Sequence, residues 1–211
     1  MKESALIIFV KNPEPGKVKT RLAKTIGDLK ALLIYKELLR HTVHITQNLS
    51  CNKYVFYEDS VNRNDLWLNV SYHKCLQNGK DLGERMLNAF SEVIQQGYKK
   101  VVIIGSDCYE LNTEILLEAF RKLDSRKIVL GPAIDGGYYL LGLRSLIPQI
   151  FIAIPWSTEK VLTRTLFILN QCQMDYDLLP ELRDIDKDTD LTEDLKIEAG
   201  IYHISEGNEV A

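Results

Sequence analysis

The sequence predicts an α/β fold in which a parallel β-sheet carries helices on both faces. Short apolar runs recur along the chain, and segments with helical periodicity separate most of them. Strands that alternate with helices of about ten residues or more are typical of such sheets. No repeat, low-complexity segment or flexible linker divides the 211 residues, so we expect one domain over residues 1–211.

Each element follows from a local pattern. The apolar run 5–10 predicts a buried first strand, and five further runs predict strands at 53–57, 70–75, 101–104, 128–130 and 138–141. Helical periodicity predicts helices at 29–47, 82–96, 113–123, 158–170 and 191–199. Expected N-caps are Asn112 for the third helix, Ser157 or Thr158 for the fourth, and Asp188 or Thr189 for the last.

Composition narrows the function classes. The net charge of −3 does not favour a nucleic-acid partner. The four cysteines form no CxxC pair, so we expect reduced thiols in a cytoplasmic protein. No apolar run approaches the roughly 18 residues of a membrane span. The hydrophobic content of 45% is typical of a globular protein with a substantial core.

The loop after the first strand is rich in positive charge. Between Lys11 and Lys24 there are five cations and one acid. In parallel sheets, ligands bind outside the carboxyl ends of the strands. Gly16 lets the backbone approach a ligand, and the side chains suited to phosphate oxygens are Lys11, Lys17, Lys19 and Arg21. The loop is therefore either a phosphate-binding site or a surface loop with solvated lysines.

Acidic residues follow two later strands. Asp107 comes directly after residues 101–104, where a carboxylate can bind Mg²⁺ or cap a turn. Asp135, before Gly136 and Gly137, either forms a turn or accepts hydrogen bonds from substrate hydroxyls.

The segment 175–194 holds nine acids and two cations. In an extended chain, Asp184 and Asp186 point the same way, so one of them can complete a Mg²⁺ site with Asp107. Whether Asp184 shares the metal with Asp186 stays open, as does the alternative of a solvated acidic stretch.

Six motifs, taken in order, resemble a known family. Together they are similar to the glycosyltransferase-A-like proteins of domain of unknown function 2064, also called selenodomain-associated transferase 1. The resemblance extends from Ala5 to Leu195. The motifs lie at 9–22, 79–86, 105–108, 135–138, 155–158 and 184–186.

The resemblance implies a fold and a set of site residues. The fold is the nucleotide-diphospho-sugar transferase type, a three-layer αβα sandwich with a mixed, mostly parallel sheet. Its first loop wraps the nucleotide phosphates, which implies roles for Lys11, Gly16, Lys17 and Arg21. Gly79 and Arg85 match positions near the base and ribose. Asp107 and Asp186 match acids that bind Mg²⁺ (or Mn²⁺).

From these residues we expect a metal-dependent transferase that uses a nucleotide or nucleotide-sugar donor and a small-molecule acceptor. Lys11, Arg21 and Asp107 are the expected catalytic set, and Asp135, Gly136 and Trp156 are expected to face the acceptor. Nucleotidyl transfer is favoured slightly over glycosyl transfer. The alternative is a non-catalytic module on the same fold that binds a nucleotide or a partner.

Overall fold

A computed structural model describes residues 3–201 and contains a seven-stranded sheet with six α-helices among these residues. The strands are β1 (Ser4–Val10), β2 (Asn52–Tyr57), β3 (Tyr72–Leu76), β4 (Lys100–Ile104), β5 (Ile128–Pro132), β6 (Tyr138–Leu143) and β7 (Tyr176–Leu178). The helices are α1 (Thr20–Ile26), α2 (Asp28–Thr46), α3 (Leu82–Ile94), α4 (Thr113–Lys122), α5 (Val161–Gln171) and α6 (Glu193–Glu198). The ends of the predicted domain, residues 1 and 211, lie outside the described residues.

The sheet is mixed and mostly parallel, as the resemblance implied. Its strand order is β3-β2-β1-β4-β6-β5-β7, and β6 alone among these strands runs antiparallel to its neighbours. The interior strand β1 is apolar on both faces, and Ala5 to Ile8 are fully buried. This order places the ends of β1 and β4 side by side, next to the beginning of β6.

Helices cover both faces of the sheet, which confirms the three-layer αβα architecture. Alternate residues of β1 point to opposite faces: Leu6 and Ile8 pack with α2 and α4, whereas Ala5 and Ile7 pack with α3. The short helices α1 and α6 pack against α2 through a smaller apolar cluster that includes Leu22 and Leu195. No helix in the range 3–201 has the length and apolar character needed to cross a membrane.

The predicted elements are present, the strand β7 and the short helix α1 lie outside the predicted ranges, and two helix starts are corrected. The strand β7 was not predicted, because its three residues are only partly buried and lie in the acidic segment. The predicted caps of α5 and α6 were wrong. Ser157 has a φ of 62° and Thr158 donates to the Pro155 carbonyl, so α5 begins only at Val161. Thr192 caps α6 by accepting from the Leu195 amide.

Two other predictions from the sequence are confirmed. The Asn112 side chain accepts a hydrogen bond from the Ile115 amide and so caps α4. All four cysteines, Cys51, Cys75, Cys108 and Cys172, are free thiols.

Candidate functional site

Three segments that the sequence singled out meet at the carboxyl ends of β1 and β4. They are the loop after β1, the turn that holds Asp107, and the acidic segment around Ile185. The Ile185 amide donates to the Asp107 carbonyl at 2.9 Å, which attaches the acidic segment to the end of β4. Residues far apart in sequence thus form one charged edge of the sheet.

Tyr35, from α2, fixes the loop after β1 to the turn after β4. Its hydroxyl accepts from the Lys11 amide at 2.7 Å and lies 3.2 Å from the Lys11 carbonyl and 3.4 Å from Ser106 Oγ. Burial raises the pKa of this phenol well above its usual range, so Tyr35 stays neutral. The sequence offered no signal for this role, because Tyr35 looks like any core residue of an amphipathic helix.

Lys19 lies at the centre of the site. Its ammonium forms an ion pair with Asp107 Oδ1 at 2.7 Å and donates to the Ile185 carbonyl at 2.5 Å. The side chain is only 6% exposed, and the residue has a φ of 49°, in the left-handed region that non-glycine residues disfavour. In the sequence, Lys19 is one of four loop cations suited to phosphate, and nothing there distinguishes it from the others.

Arg21 and Lys17 are also paired with acids, but at the surface. The Arg21 guanidinium contacts Asp186 Oδ2 at 2.7 Å, and this contact raises the pKa of Arg21. The Lys17 ammonium contacts Glu14 at 2.7 Å. Exposed pairs of this kind contribute about 0–1 kcal/mol and are easily exchanged for another anion.

Glu58, at the end of β2, joins two more of the predicted ligand-binding cations. One of its carboxylate oxygens contacts the Lys11 ammonium at 3.3 Å, and the other accepts from Arg85 at 2.7 Å. Burial acts to raise the pKa of Glu58, but hydrogen bonds and charge from Arg85 and Lys11 outweigh it and lower the pKa. Glu58 was missed in the sequence because it belongs to no motif.

Gly79 and Arg85 lie together at the start of α3. Arg85 Nε donates to the Gly79 carbonyl at 3.2 Å. Gly79 has a φ of 148°, and a Cβ there would lie 2.6 Å from the Arg85 amide nitrogen, so no larger residue fits. Asp81 caps α3 by accepting from the Glu84 amide at 2.8 Å. This tight turn presents Arg85 toward Glu58 and the end of β2.

Asp184 adds a further acid to this edge of the sheet. Burial, followed by the negative charges of Asp107, Asp135 and Asp186, raises the pKa of Asp184 to about 7, against a lowering effect of Lys19. No group within residues 3–201 donates a hydrogen bond to its carboxylate. The acids of this edge therefore repel one another, and a cation would relieve that repulsion.

Asp107 and Asp186 alone do not complete the shell of a divalent cation, so a substrate would have to supply further ligands. Asp107 and Asp186 each keep one carboxylate oxygen outside their ion pairs with Lys19 and Arg21. In the described part of the chain, no three acidic, histidine or cysteine side chains are grouped so as to hold a metal. Mg²⁺ suits such a site, since it often takes one or two carboxylates and completes its shell with phosphates and water.

The three predicted acceptor residues lie on two loops that contact each other. The Asp135 carboxylate accepts from the Gly137 amide at 2.9 Å, which closes a turn. Gly136 lies against the backbone of Glu159, and Trp156 lies against Gly83 at the start of α3. Asp135 is close enough to Arg21 and Asp184 for its negative charge to raise the pKa values of both.

Tyr138 has a fully buried hydroxyl with no hydrogen-bond partner among residues 3–201. Its ring meets the Trp156 ring edge to face, with centroids 6.3 Å apart. We expect Tyr138→Phe to stabilise the protein by about 1 kcal/mol, because a buried unpaired hydroxyl costs about 1–3 kcal/mol. Chemical denaturation measures this change.

The neighbouring tyrosine provides a matched control. The Tyr139 hydroxyl donates to the Pro180 carbonyl at 2.9 Å, so Tyr139→Phe should lose about 1 kcal/mol. A loss of stability in Tyr138→Phe as large as that in Tyr139→Phe would contradict the prediction.

Comparison with known proteins identifies the family. The family model described as "Uncharacterized protein conserved in bacteria (DUF2064)" matches residues 41–158. The chain belongs to the DUF2064 family. The matched range includes Gly79, Arg85, Asp107 and Trp156, whereas the loop after β1 and Asp186 lie outside it. No curated protein matches this DUF2064 chain.

Solved structures show the same fold. A crystal structure from Desulfovibrio desulfuricans G20, described as a candidate nucleotide-diphospho-sugar transferase, is 34% identical, covering 89% of this chain and 84% of its own, with a TM-score of 0.81. An inositol-1-phosphate CTP transferase from T. maritima is 13% identical, covering 94% and 95%, with a TM-score of 0.53. The CTP complex of CMP:2-keto-3-deoxy-manno-octonic acid synthetase is 10% identical, covering 95% and 99%, with a TM-score of 0.52. Structures with the fold of this DUF2064 chain therefore include nucleotide-using transferases.

Proposed function

We propose that this DUF2064 chain is a Mg²⁺-dependent transferase that uses an activated nucleotide, with nucleotidyl transfer favoured over glycosyl transfer. One observation carries the proposal: the cations Lys11, Lys19 and Arg21 and the acids Asp107 and Asp186 lie at a single sheet edge, paired with acids and cations respectively. The cations are the groups that a nucleotide's phosphates would contact, and the acids are the groups that its metal would contact. In this structure they form ion pairs with protein groups.

The cations would bind and orient the phosphates. Lys11 and Arg21 are more than half exposed, so phosphate oxygens can replace their present partners, Glu58 and Asp186, at little cost. Arg21 offers a planar fork to two oxygens and Lys11 a compact charge. Gly16, with a φ of 73°, lets the loop backbone approach the same phosphates, and Lys17 adds a further charge.

The acids would hold the metal and orient the acceptor. Asp107 and Asp186 would hold Mg²⁺, which would supply charge stabilisation to the phosphate oxygens. Asp135 keeps one carboxylate oxygen that can accept a hydrogen bond from an acceptor hydroxyl and so direct it toward the reacting phosphate. Catalysis then consists of positioning and charge stabilisation, and no covalent enzyme intermediate is needed.

Support for nucleotidyl transfer comes from the neighbouring structures. Two of the three described above act on CTP or are bound to it, as their descriptions state. Arg85 and Gly79 lie at the start of α3, beside Glu58, where the resemblance implies the base and ribose. A nucleoside triphosphate donor fits this arrangement, since Lys11 lies between the two regions through its contact with Glu58.

Calorimetry followed by product analysis tests this function. The protein is titrated with Mg²⁺ complexes of nucleoside triphosphates and of nucleotide sugars, and we expect one nucleotide class to bind. Arg21→Gln should weaken that binding at least tenfold, whereas Lys24→Gln, an equal loss of charge on the same helix, should leave it nearly unchanged. If no nucleotide binds, the proposal is wrong.

The reaction type is then read from the leaving group. Release of pyrophosphate with an acceptor indicates nucleotidyl transfer, and release of a nucleoside diphosphate indicates glycosyl transfer. Binding without turnover over a broad panel of phosphorylated and hydroxylated acceptors would instead support the non-catalytic binding module.

A further inference from the structure

The Lys19 ammonium lies between two oxygens from different segments of the site. It lies 2.7 Å from Asp107 Oδ1 and 2.5 Å from the Ile185 carbonyl oxygen, and both oxygens belong to segments that converge on the site. The side chain is 6% exposed, whereas that of Arg21 is 63% exposed. The Lys19 ammonium is therefore shielded from solvent and less screened than the Arg21 guanidinium, whereas Asp107 itself is 51% exposed and open to another cation.

The backbone of Lys19 is in a conformation that lysine disfavours. With a φ of 49° and a ψ of 43°, the residue is left-handed at the N-terminus of α1, and its side chain makes no capping hydrogen bond there. The contacts with Asp107 and Ile185 hold the residue in place against this strain. Release of those contacts would let the Lys19 backbone relax, which would shift the side chain from its present position beside Asp107.

We propose that Lys19 is an internal counter-ion that competes with the divalent cation for Asp107 and releases this carboxylate when phosphates arrive. The inference rests on the proposed function and adds a residue that couples its two ligands. Lys19 is on the phosphate-binding loop, so an anion on that loop attracts the ammonium away from Asp107. By linkage, a metal that takes Asp107 frees Lys19 for phosphate to the same degree. Lys19 is thus a positioning residue that makes metal and phosphate bind together.

The competition is tested with Mn²⁺ alone, whose free concentration is read from its electron paramagnetic resonance signal. We expect Lys19→Met to bind Mn²⁺ at least tenfold more tightly than the unaltered protein. Lys24→Met, which removes an equal charge from the exposed face of α1, should change the affinity less than threefold. An equal affinity of Lys19→Met and Lys24→Met for Mn²⁺ would overturn the proposal.

Two further variants separate competition from a purely structural effect. Lys19→Gln keeps a hydrogen-bond donor for Asp107 and Ile185 but loses the charge, so its Mn²⁺ affinity should also exceed that of the unaltered protein. The double variant that combines Lys19→Met with Asp107→Asn should lose the gain in Mn²⁺ affinity. Thermal melts establish that each variant is folded, and a gain that persists without the Asp107 carboxylate would contradict the role of Lys19.

Coupling is measured by repeating the Mn²⁺ titration in the presence of inorganic phosphate. Phosphate should tighten Mn²⁺ binding to the unaltered protein by a larger factor than it does in Lys19→Met, and equal factors would overturn the coupling role. A different result would contradict the proposed function itself, namely that the unaltered protein binds no metal even in the presence of a nucleoside triphosphate. If that complex forms while Lys19→Met behaves like Lys24→Met, only the role of Lys19 is lost.

Discussion

Replacing Asp107 with asparagine is expected to reduce nucleotide turnover at least about a hundredfold. The change removes the negative charge that would hold the metal beside the phosphates, and losing one charge-stabilising group in an active site typically costs about 10²- to 10³-fold in rate. Initial rates of pyrophosphate or nucleoside diphosphate release measure the loss. Mn²⁺ affinity in the presence of nucleotide should fall in parallel.

The fold should survive this substitution. Ile185 is held to the end of β4 by the Asp107 carbonyl, which asparagine keeps. Asp188→Asn is a suitable control, because Asp188 is an exposed acid of the same segment and is not one of the expected metal ligands. Turnover of Asp107→Asn equal to that of Asp188→Asn would remove Asp107 from the catalytic set.

The fold could be predicted from the sequence because its main elements carry their own signals. The run 5–10 is apolar at every position, which is the pattern expected of a strand buried on both faces. Asn112 places a capping side chain just before α4. The start of α5 could not be predicted in this way, because the left-handed Ser157 and the Thr158 hydroxyl are set by packing of the loop against Gly136 and α3.

The charged residues of the site could be predicted from the sequence, but the ion pairs that they form could not. Cations after β1 and acids after β4 had to lie at one edge, because parallel strands end together there. The partner of each charge depends on contacts between residues far apart in sequence, such as Lys19 with Ile185, and on residues without a motif, such as Glu58. Local patterns do not indicate such contacts, so the partners of Lys19 and the role of Glu58 became visible only in the structure.

Gly136→Ala is expected to destabilise the protein by about 3 kcal/mol and to lower its melting temperature by roughly 6–12 °C. Gly136 has a φ of 88°, and a Cβ there would lie 2.1 Å from the Glu159 carbonyl oxygen. A left-handed alanine costs about 1–2 kcal/mol, and displacement of a backbone carbonyl adds the rest. Thermal and chemical denaturation measure the change.

Gly97→Ala separates the two contributions. Gly97 has a φ of 91°, close to that of Gly136, but a Cβ there would meet no atom within 4 Å. This variant should therefore show only the backbone strain, about 1–2 kcal/mol. A loss of stability in Gly136→Ala well above that in Gly97→Ala would mean that the Glu159 backbone fills the space beside Gly136. An acceptor would then have to approach on the side of Asp135 rather than over the glycine. Equal losses would mean that the loop moves aside, which would leave Gly136 open to the acceptor.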